Sequence, residues 1–150
     1  MVRLYEHQGK QLLKSAGIEI PKGIVVSTPE DTRKNAENIN KAVALKAQVS
    51  ATGRFKEGGI KFALTPEEAA SKAKELLGTN IKGIKVDNIL VEERLDIKKE
   101  YYIGIIVNDS YKVRAPVIIF STKGGVDIEA VSAKRPEKIA SLTIDYLEGI

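Results

Sequence analysis

The sequence predicts an α/β (α+β) protein, a mixed sheet with helices. Three observations carry the prediction. Short apolar strands alternate with polar helical stretches along the first hundred residues. Two Thr-Pro-Glu segments mark helix starts. A long run with strand periodicity folded back on itself occupies the second part of the chain. The composition agrees: 43% of the 150 residues are hydrophobic and 29% charged, the mix of a globular chain rather than a disordered one.

Tyr5 to Ala16 reads as a helix closed by Gly17, since glycine takes a left-handed cap without steric cost. Gly23–Val26 is a short strand. Thr28 then caps a polar helix whose first position is Pro29, where the missing N–H does no harm. Ala42 to Val49 is an apolar strand that carries Lys46. Residues 50–59 form a glycine-rich polar turn, and Ile60–Leu64 returns as a strand. Thr65-Pro66-Glu67-Glu68 has the form of a capping box, with Thr65 as cap and Glu68 reaching back to the cap's own N–H. That helix runs to Gly78. Ile89–Glu93 is the next strand. Glu100–Val107 and Tyr111–Phe120 form a hairpin around Asn108-Asp109-Ser110, with Pro116 pointing to an edge strand or a bulge. Ser121–Gly125 is a turn, and one short helix is expected after Pro136. The joint near Arg94–Lys99 is the expected boundary between two lobes.

Composition excludes several chemistries. There is no Cys, so disulfides, thiolate catalysis, iron–sulfur clusters and cysteine zinc sites are out. His7 is the one imidazole, which argues against a Ser-His-Asp triad and a His-rich metal site, and its neighbours read it as a surface or packing residue. No apolar run approaches the roughly 20 residues of a membrane span, and the first residues lack the apolar core of a signal peptide. A cytoplasmic protein that does not engage membranes is expected. Of 24 Lys+Arg and 20 Asp+Glu, residues 1–60 hold ten basic and six acidic side chains, and the rest is balanced. The net +4 is thus confined to the first part, without the basic runs or interleaved aromatics of nucleic-acid binding. A discrete small anion and an ordinary solvated surface are the two readings of that excess.

The stretch from Lys46 to Gly59 concentrates the candidate chemistry. A lysine in an apolar strand costs desolvation energy unless an anion compensates it. Lys46, Arg54 and Lys56 with three glycines fall within fourteen residues. Glycines let backbone N–H groups approach phosphate. The alternative is a long hairpin loop with Lys46 snorkelling to the sheet edge. No Walker A loop and no GxGxxG is present. A second stretch, Leu90 to Glu100, is a strand running into a polar turn. Its backbone can read an adenine edge and Glu100 can accept from ribose hydroxyls, or the charges are simply solvated. Asp127 and Glu129, after Gly124-Gly125, are open to a metal, to a partner, or to no role beyond a turn.

In order, these segments resemble the ATP-grasp portion of the β subunit of succinyl-CoA synthetase and related ADP-forming acyl-CoA ligases. The opening Leu4–Leu13, with Glu6, Gln8, Lys10 and Leu12, is similar to that family's start. The pattern K-x-Q-V-x-x-x-G-R-x-K-x-G-G runs from Lys46 to Gly59. Leu90-Val91-Glu92, Lys99-Glu100-x-Tyr102 and Gly124-Gly125-Val126-x-Ile128-Glu129 follow in register. The resemblance implies an ATP-grasp-like fold, with 1–95 as the N-terminal lobe (residues 1–20 in it or packed on the second lobe) and 96–150 as an incomplete second lobe. It implies phosphate binding by Lys46 and a lid at Gly53, Arg54 and Phe55. It implies adenine contact by Glu92 and Leu95, and ribose contact by Glu100. Implied further are ATP or GTP and Mg²⁺ as cofactors, and a CoA-ligase α subunit as partner. The activity implied is ligation of a carboxylic acid to CoA, a step of the tricarboxylic acid cycle. The family's acidic Mg²⁺ ligands and CoA-ligase domain lie beyond this stretch, so no catalytic residue and no metal ligand is nominated, and the chain alone is expected to be inactive. The sequence departs from the family where two glycines are replaced by Thr52 and Phe55, which stiffens the lid. A non-catalytic ATP-grasp-like module pairing with another subunit is the alternative.

Overall fold

The computed structural model describes residues 3–51, 53–108, 114–122, 124 and 136–145. The chain divides into two units, Met1–Leu95 and Asp96–Ile150. The first contains α1 (Glu6–Ser15), β1 (Gly23–Val26), α2 (Pro29–Ile39), β2 (Val43–Ala47), β3 (Ile60–Ala63), α3 (Pro66–Leu76), β4 (Asn80–Ile81), β5 (Ile84–Lys85) and β6 (Ile89–Glu93). The second contains β7 (Tyr102–Asn108), β8 (Ala115–Ser121), a single 3₁₀ turn at Pro136–Lys138, and β9 (Ile139–Thr143).

In the first unit the sheet order is β1-β6-β2-β3, antiparallel throughout. Strand side chains alternate between faces, and the register sorts them. Val26, Ile89, Val91, Val43, Leu45, Ala47 and Ala63 share one face and enter the core cluster with Ala36 of α2 and Ala69, Ala73 and Leu76 of α3. The other face carries Gly23, Glu92, Leu90, Ala44 and Lys46. Its charged members are met by α1. Gly23 is required by this packing: a Cβ there would lie 2.5 Å from Glu92 Cβ and 2.5 Å from the Val91 carbonyl oxygen.

Both Thr-Pro-Glu helices start as the sequence predicts. Thr28 Oγ1 accepts from Asp31 N–H at 3.1 Å, and Thr65 Oγ1 accepts from Glu68 N–H at 3.1 Å. The expected box at α3 is displaced by one residue. The Glu68 carboxylate takes its 2.7 Å hydrogen bond from the N–H of Leu64, the residue before the cap. This N–H first, then Lys72, holds the carboxyl below its usual range.

Two expectations in the second unit are corrected. Pro116 is not on an edge strand, because β8 lies between β7 and β9. The Pro116 carbonyl accepts from Ile144 N–H at 2.8 Å, just past the end of β9, so its missing donor falls where that ladder stops. The helix expected after Pro136 is one 3₁₀ turn followed by β9. The β4–β5 hairpin was not foreseen. Lys82 (φ +52°) and Gly83 (φ +79°) make its two-residue turn. Asp109, Ser110, Asp127 and Glu129 lie outside the described residues. Among the described residues, no helix is long and apolar enough to cross a membrane.

Candidate functional site

Five charged side chains converge on the sheet face opposite the core. Lys46 stands on β2, flanked on both sides by strands, so it does not reach the sheet edge. Its Nζ donates to Glu6 Oε1 at 2.9 Å and pairs with Glu92 Oε1 at 2.8 Å. Lys10 Nζ lies 3.0 Å from Glu6 Oε1 and also pairs with Glu92. Arg54, in the glycine turn, donates through Nη2 to Glu6 Oε2 at 2.5 Å and through Nη1 to the Ala47 carbonyl at 2.7 Å. One carboxylate of α1 therefore binds the lysine of the strand with one oxygen and the arginine of the loop with the other.

Each element has a reason to bring its residue here. Glu6 and Lys10 are one helical turn apart, the spacing that puts two side chains on one face. Lys46 and Glu92 are carried on paired strands whose register sets Lys46 opposite Leu90 and Ala44 opposite Glu92. Thus Lys46 and Glu92 are diagonal neighbours on one face, within reach for long side chains. Arg54 is fixed by its own loop, where its carbonyl accepts from Gly59 N–H at 2.7 Å. A Cβ on Gly59 would sit 2.6 Å from Ile81 Cδ1 and 3.1 Å from the Arg54 carbonyl oxygen, so Ile81 would have to shift to admit one.

The electrostatics follow from burial and pairing. Burial pushes the Glu6 carboxyl up, but Lys46 and Lys10 outweigh it and take it from 4.5 to about 2. Burial pushes the Lys46 amine down, while Glu92 and Glu6 more than offset this and leave it raised. Glu92 is 3% exposed. A carboxylate that buried requires its cations, and the two lysines supply them. The desolvation cost read from the sequence for Lys46 is met by the protein's own carboxylates.

The other sequence-predicted residues are placed as follows. Gly53 adopts φ +74°, a conformation that glycine takes freely. Phe55 is exposed in the same turn and Leu95 is exposed at the end of the first unit. Glu100 belongs to the second unit, where its carbonyl accepts from Gly124 N–H at 3.1 Å. Thr52 lies outside the described residues. His7 packs as expected: its backbone N–H and ring Nδ1 both meet Gln48 Oε1, at 3.2 and 2.9 Å, and the ring stacks on Tyr5. Among the described residues, no group of three His, Asp or Glu side chains is placed to hold a metal ion.

Sequence reasoning assigned no role to Glu6 and Lys10. Their signal was present as an acid and a base four residues apart on the first helix, but nothing local says which strands that helix will face.

The ATP-grasp domain family matches this sequence over residues 3–150. The chain belongs to the ATP-grasp family. Among its relatives, the β subunit of the GDP-forming succinate–CoA ligase of Thermus thermophilus is 48% identical over 148 residues. That match covers 99% of this chain and 39% of the relative. The β subunit of the ADP-forming succinate–CoA ligase of Methanocaldococcus jannaschii is 49% identical over 144 residues, covering 96% of this chain and 38% of the relative. The chain thus spans about two fifths of these relatives' length. Two solved structures share the ATP-grasp fold. ATP citrate lyase from Methanothrix soehngenii, in complex with citrate and coenzyme A, superposes with a TM-score of 0.70 at 23% identity, covering 98% of this chain and 36% of that one. The dinucleotide-forming acetyl-coenzyme A synthetase 1 of Ca. Korarchaeum cryptofilum superposes at 0.72 with 24% identity, covering 93% and 59%.

Proposed function

We propose that this chain is the nucleotide-binding part of an acyl-CoA ligase β subunit, one that forms a CoA thioester from a carboxylic acid with ATP or GTP. The observation that carries the reading is the convergence of Lys46 and Arg54, from a strand and a glycine turn, on one pair of carboxylate oxygens. An ammonium and a guanidinium that converge on one carboxylate present the donor geometry that a phosphate's oxygens also accept, which supports a nucleotide's phosphates as the ligand. Similarity to succinate–CoA ligase β subunits over nearly the whole chain supports it.

On this reading Lys46 and Arg54 hold phosphate, and Gly53 and Phe55 belong to the lid over it. The chain just past β6, at Leu95, lies along the base, Glu92 stays paired with Lys10 and Lys46, and Glu100 takes the ribose. The bound nucleotide supplies the phosphoryl group, which activates the acid. Mg²⁺ is expected with it, but the described residues form no site for the ion and none is assigned. The partner is a CoA-ligase α subunit, and the compartment is the cytoplasm.

Calorimetric titration of the chain with MgATP and MgGTP tests the reading. Millimolar or tighter binding is expected, lost in Lys46→Met while Lys56→Met retains it. A folded wild-type chain that binds neither nucleotide would end the proposal.

The alternative, a non-catalytic module that pairs with another subunit, is favoured by one observation. Ile103, Ile105 and Val107 alternate along β7 at 71, 70 and 69% exposure, an apolar row open to solvent. Nucleotide binding lost with Lys46 would exclude this reading in its site-less form.

A further inference from the structure

We propose that Glu6 is a built-in stand-in for phosphate: it occupies Lys46 and Arg54 when no nucleotide is present, and a nucleotide must displace it to bind. The inference deepens the nucleotide-binding reading above and rests on it.

The geometry is specific. Glu6 divides its two oxygens between the two cations, 2.9 Å to Lys46 and 2.5 Å to Arg54. No phosphate oxygen can take the same donor directions while the carboxylate stays. Nor can it sit beside the carboxylate without repulsion, which at 3–4 Å separation is substantial in a half-buried site. Charge counting points the same way. Lys10, Lys46 and Arg54 give three positive charges against two negative from Glu6 and Glu92, so the cluster offers a polyphosphate little net attraction. With Glu6 withdrawn the remaining four groups carry twice that net charge.

The rest of the cluster is arranged so that Glu6 can leave. Glu92 keeps both lysines when Glu6 departs, so no buried carboxylate is left without a cation. Arg54 retains the Ala47 carbonyl through Nη1, so its guanidinium stays aimed at the same place. Glu6 itself is the first residue of α1 and sits near that helix's N-terminus, where a carboxylate is stabilised whether or not it touches the lysines. Glu6 is therefore a regulator of affinity and not a ligand of the nucleotide.

The test compares wild-type chain and Glu6→Gln by calorimetry with three probes at low salt: inorganic tripolyphosphate, ATP and adenosine. Glutamine keeps the shape and removes the competing charge. Tripolyphosphate and ATP should bind the variant about tenfold more tightly, and adenosine equally. If the variant binds tripolyphosphate no better than wild type, or worse, the stand-in is refuted and Glu6 merely positions the cations; wild-type ATP binding would still uphold the nucleotide reading. If neither protein binds ATP, the nucleotide reading falls and this inference falls with it. Should Glu6→Gln fail to fold, carbon NMR of the wild-type Glu6 carboxyl decides. Saturating tripolyphosphate should return its titration toward the ordinary carboxylate range, and an unmoved titration refutes displacement.

Discussion

At the scale of single residues, Glu6 concentrates more of the electrostatics than any group named from the sequence. Its carboxyl is held at about 2 against an ordinary 4.5. A depressed carboxyl contributes stability above the unfolded-state value, and the contribution fades as pH falls through the folded-state value. Glu6 should therefore stabilise the fold fully above pH 4.5 and lose that effect between 4.5 and 2. Because the group is partly exposed, the linkage must be discounted for screening, leaving on the order of 1–2 kcal/mol. Glu6→Gln should be less stable than wild type by that amount near neutral pH, with the gap closing below pH 4.5 in urea titrations. A gap that persists unchanged at pH 2.5 would mean that the loss is one of packing. Lys46 has the opposite sign. Its raised amine stabilises at neutral pH and loses its effect as pH climbs through the folded-state value above 10.5.

Elements were legible in proportion to how local their signals are. The Thr-Pro-Glu starts of α2 and α3 depend on residues within one turn, and both form as read. Thr65→Ala removes the oxygen that accepts from Glu68 N–H and should cost about 1 kcal/mol, seen as a lower urea midpoint at unchanged slope. Because Glu68 anchors itself on Leu64 N–H, Glu68→Ala should also lower the urea midpoint. An unchanged midpoint in Thr65→Ala would show that the side-chain cap is replaced by water. Strands β1 and β6 were legible as apolar runs. The β4–β5 hairpin was not, because its turn places Lys82 at positive φ, where Asn or Gly is the usual signal. Strand β9 was missed because its pairing partner β8 precedes it by many residues, and Ile139–Thr143 alone has no clear alternation. The site divides the same way. Lys46 and Arg54 announce themselves by charge among apolar and glycine neighbours. Glu6 and Lys10 acquire meaning only once α1 lies against β2 and β6, a long-range fact that no spacing encodes.

For the molecule as a whole, the distribution of burial separates the two units. Every member of the core cluster, from Val26 to Val91, lies within Met1–Leu95. Among the described residues of Asp96–Ile150 only Ala115, Val117 and Ser121 are buried, while Ile103, Ile105 and Leu142 are exposed. A three-stranded antiparallel sheet is stable alone only if one face is packed, whereas a unit of about 95 residues with helices on both faces of its sheet has core enough to fold independently. The first unit should therefore hold its structure without the second. Expressed as residues 1–95, it should give a dispersed amide spectrum and a single cooperative thermal transition. Residues 96–150 alone should give neither, and in the whole chain the amides of β7–β9 should exchange faster than those of β2 and β6. A disordered 1–95 fragment would show that the core requires the second unit, and uniform exchange protection would show one cooperative body. The outcome bears on the site directly. Glu6, Lys10, Lys46, Arg54 and Glu92 all reside in the first unit, so under the proposed function the fragment should bind tripolyphosphate as the whole chain does, and a fragment that does not would count against that proposal.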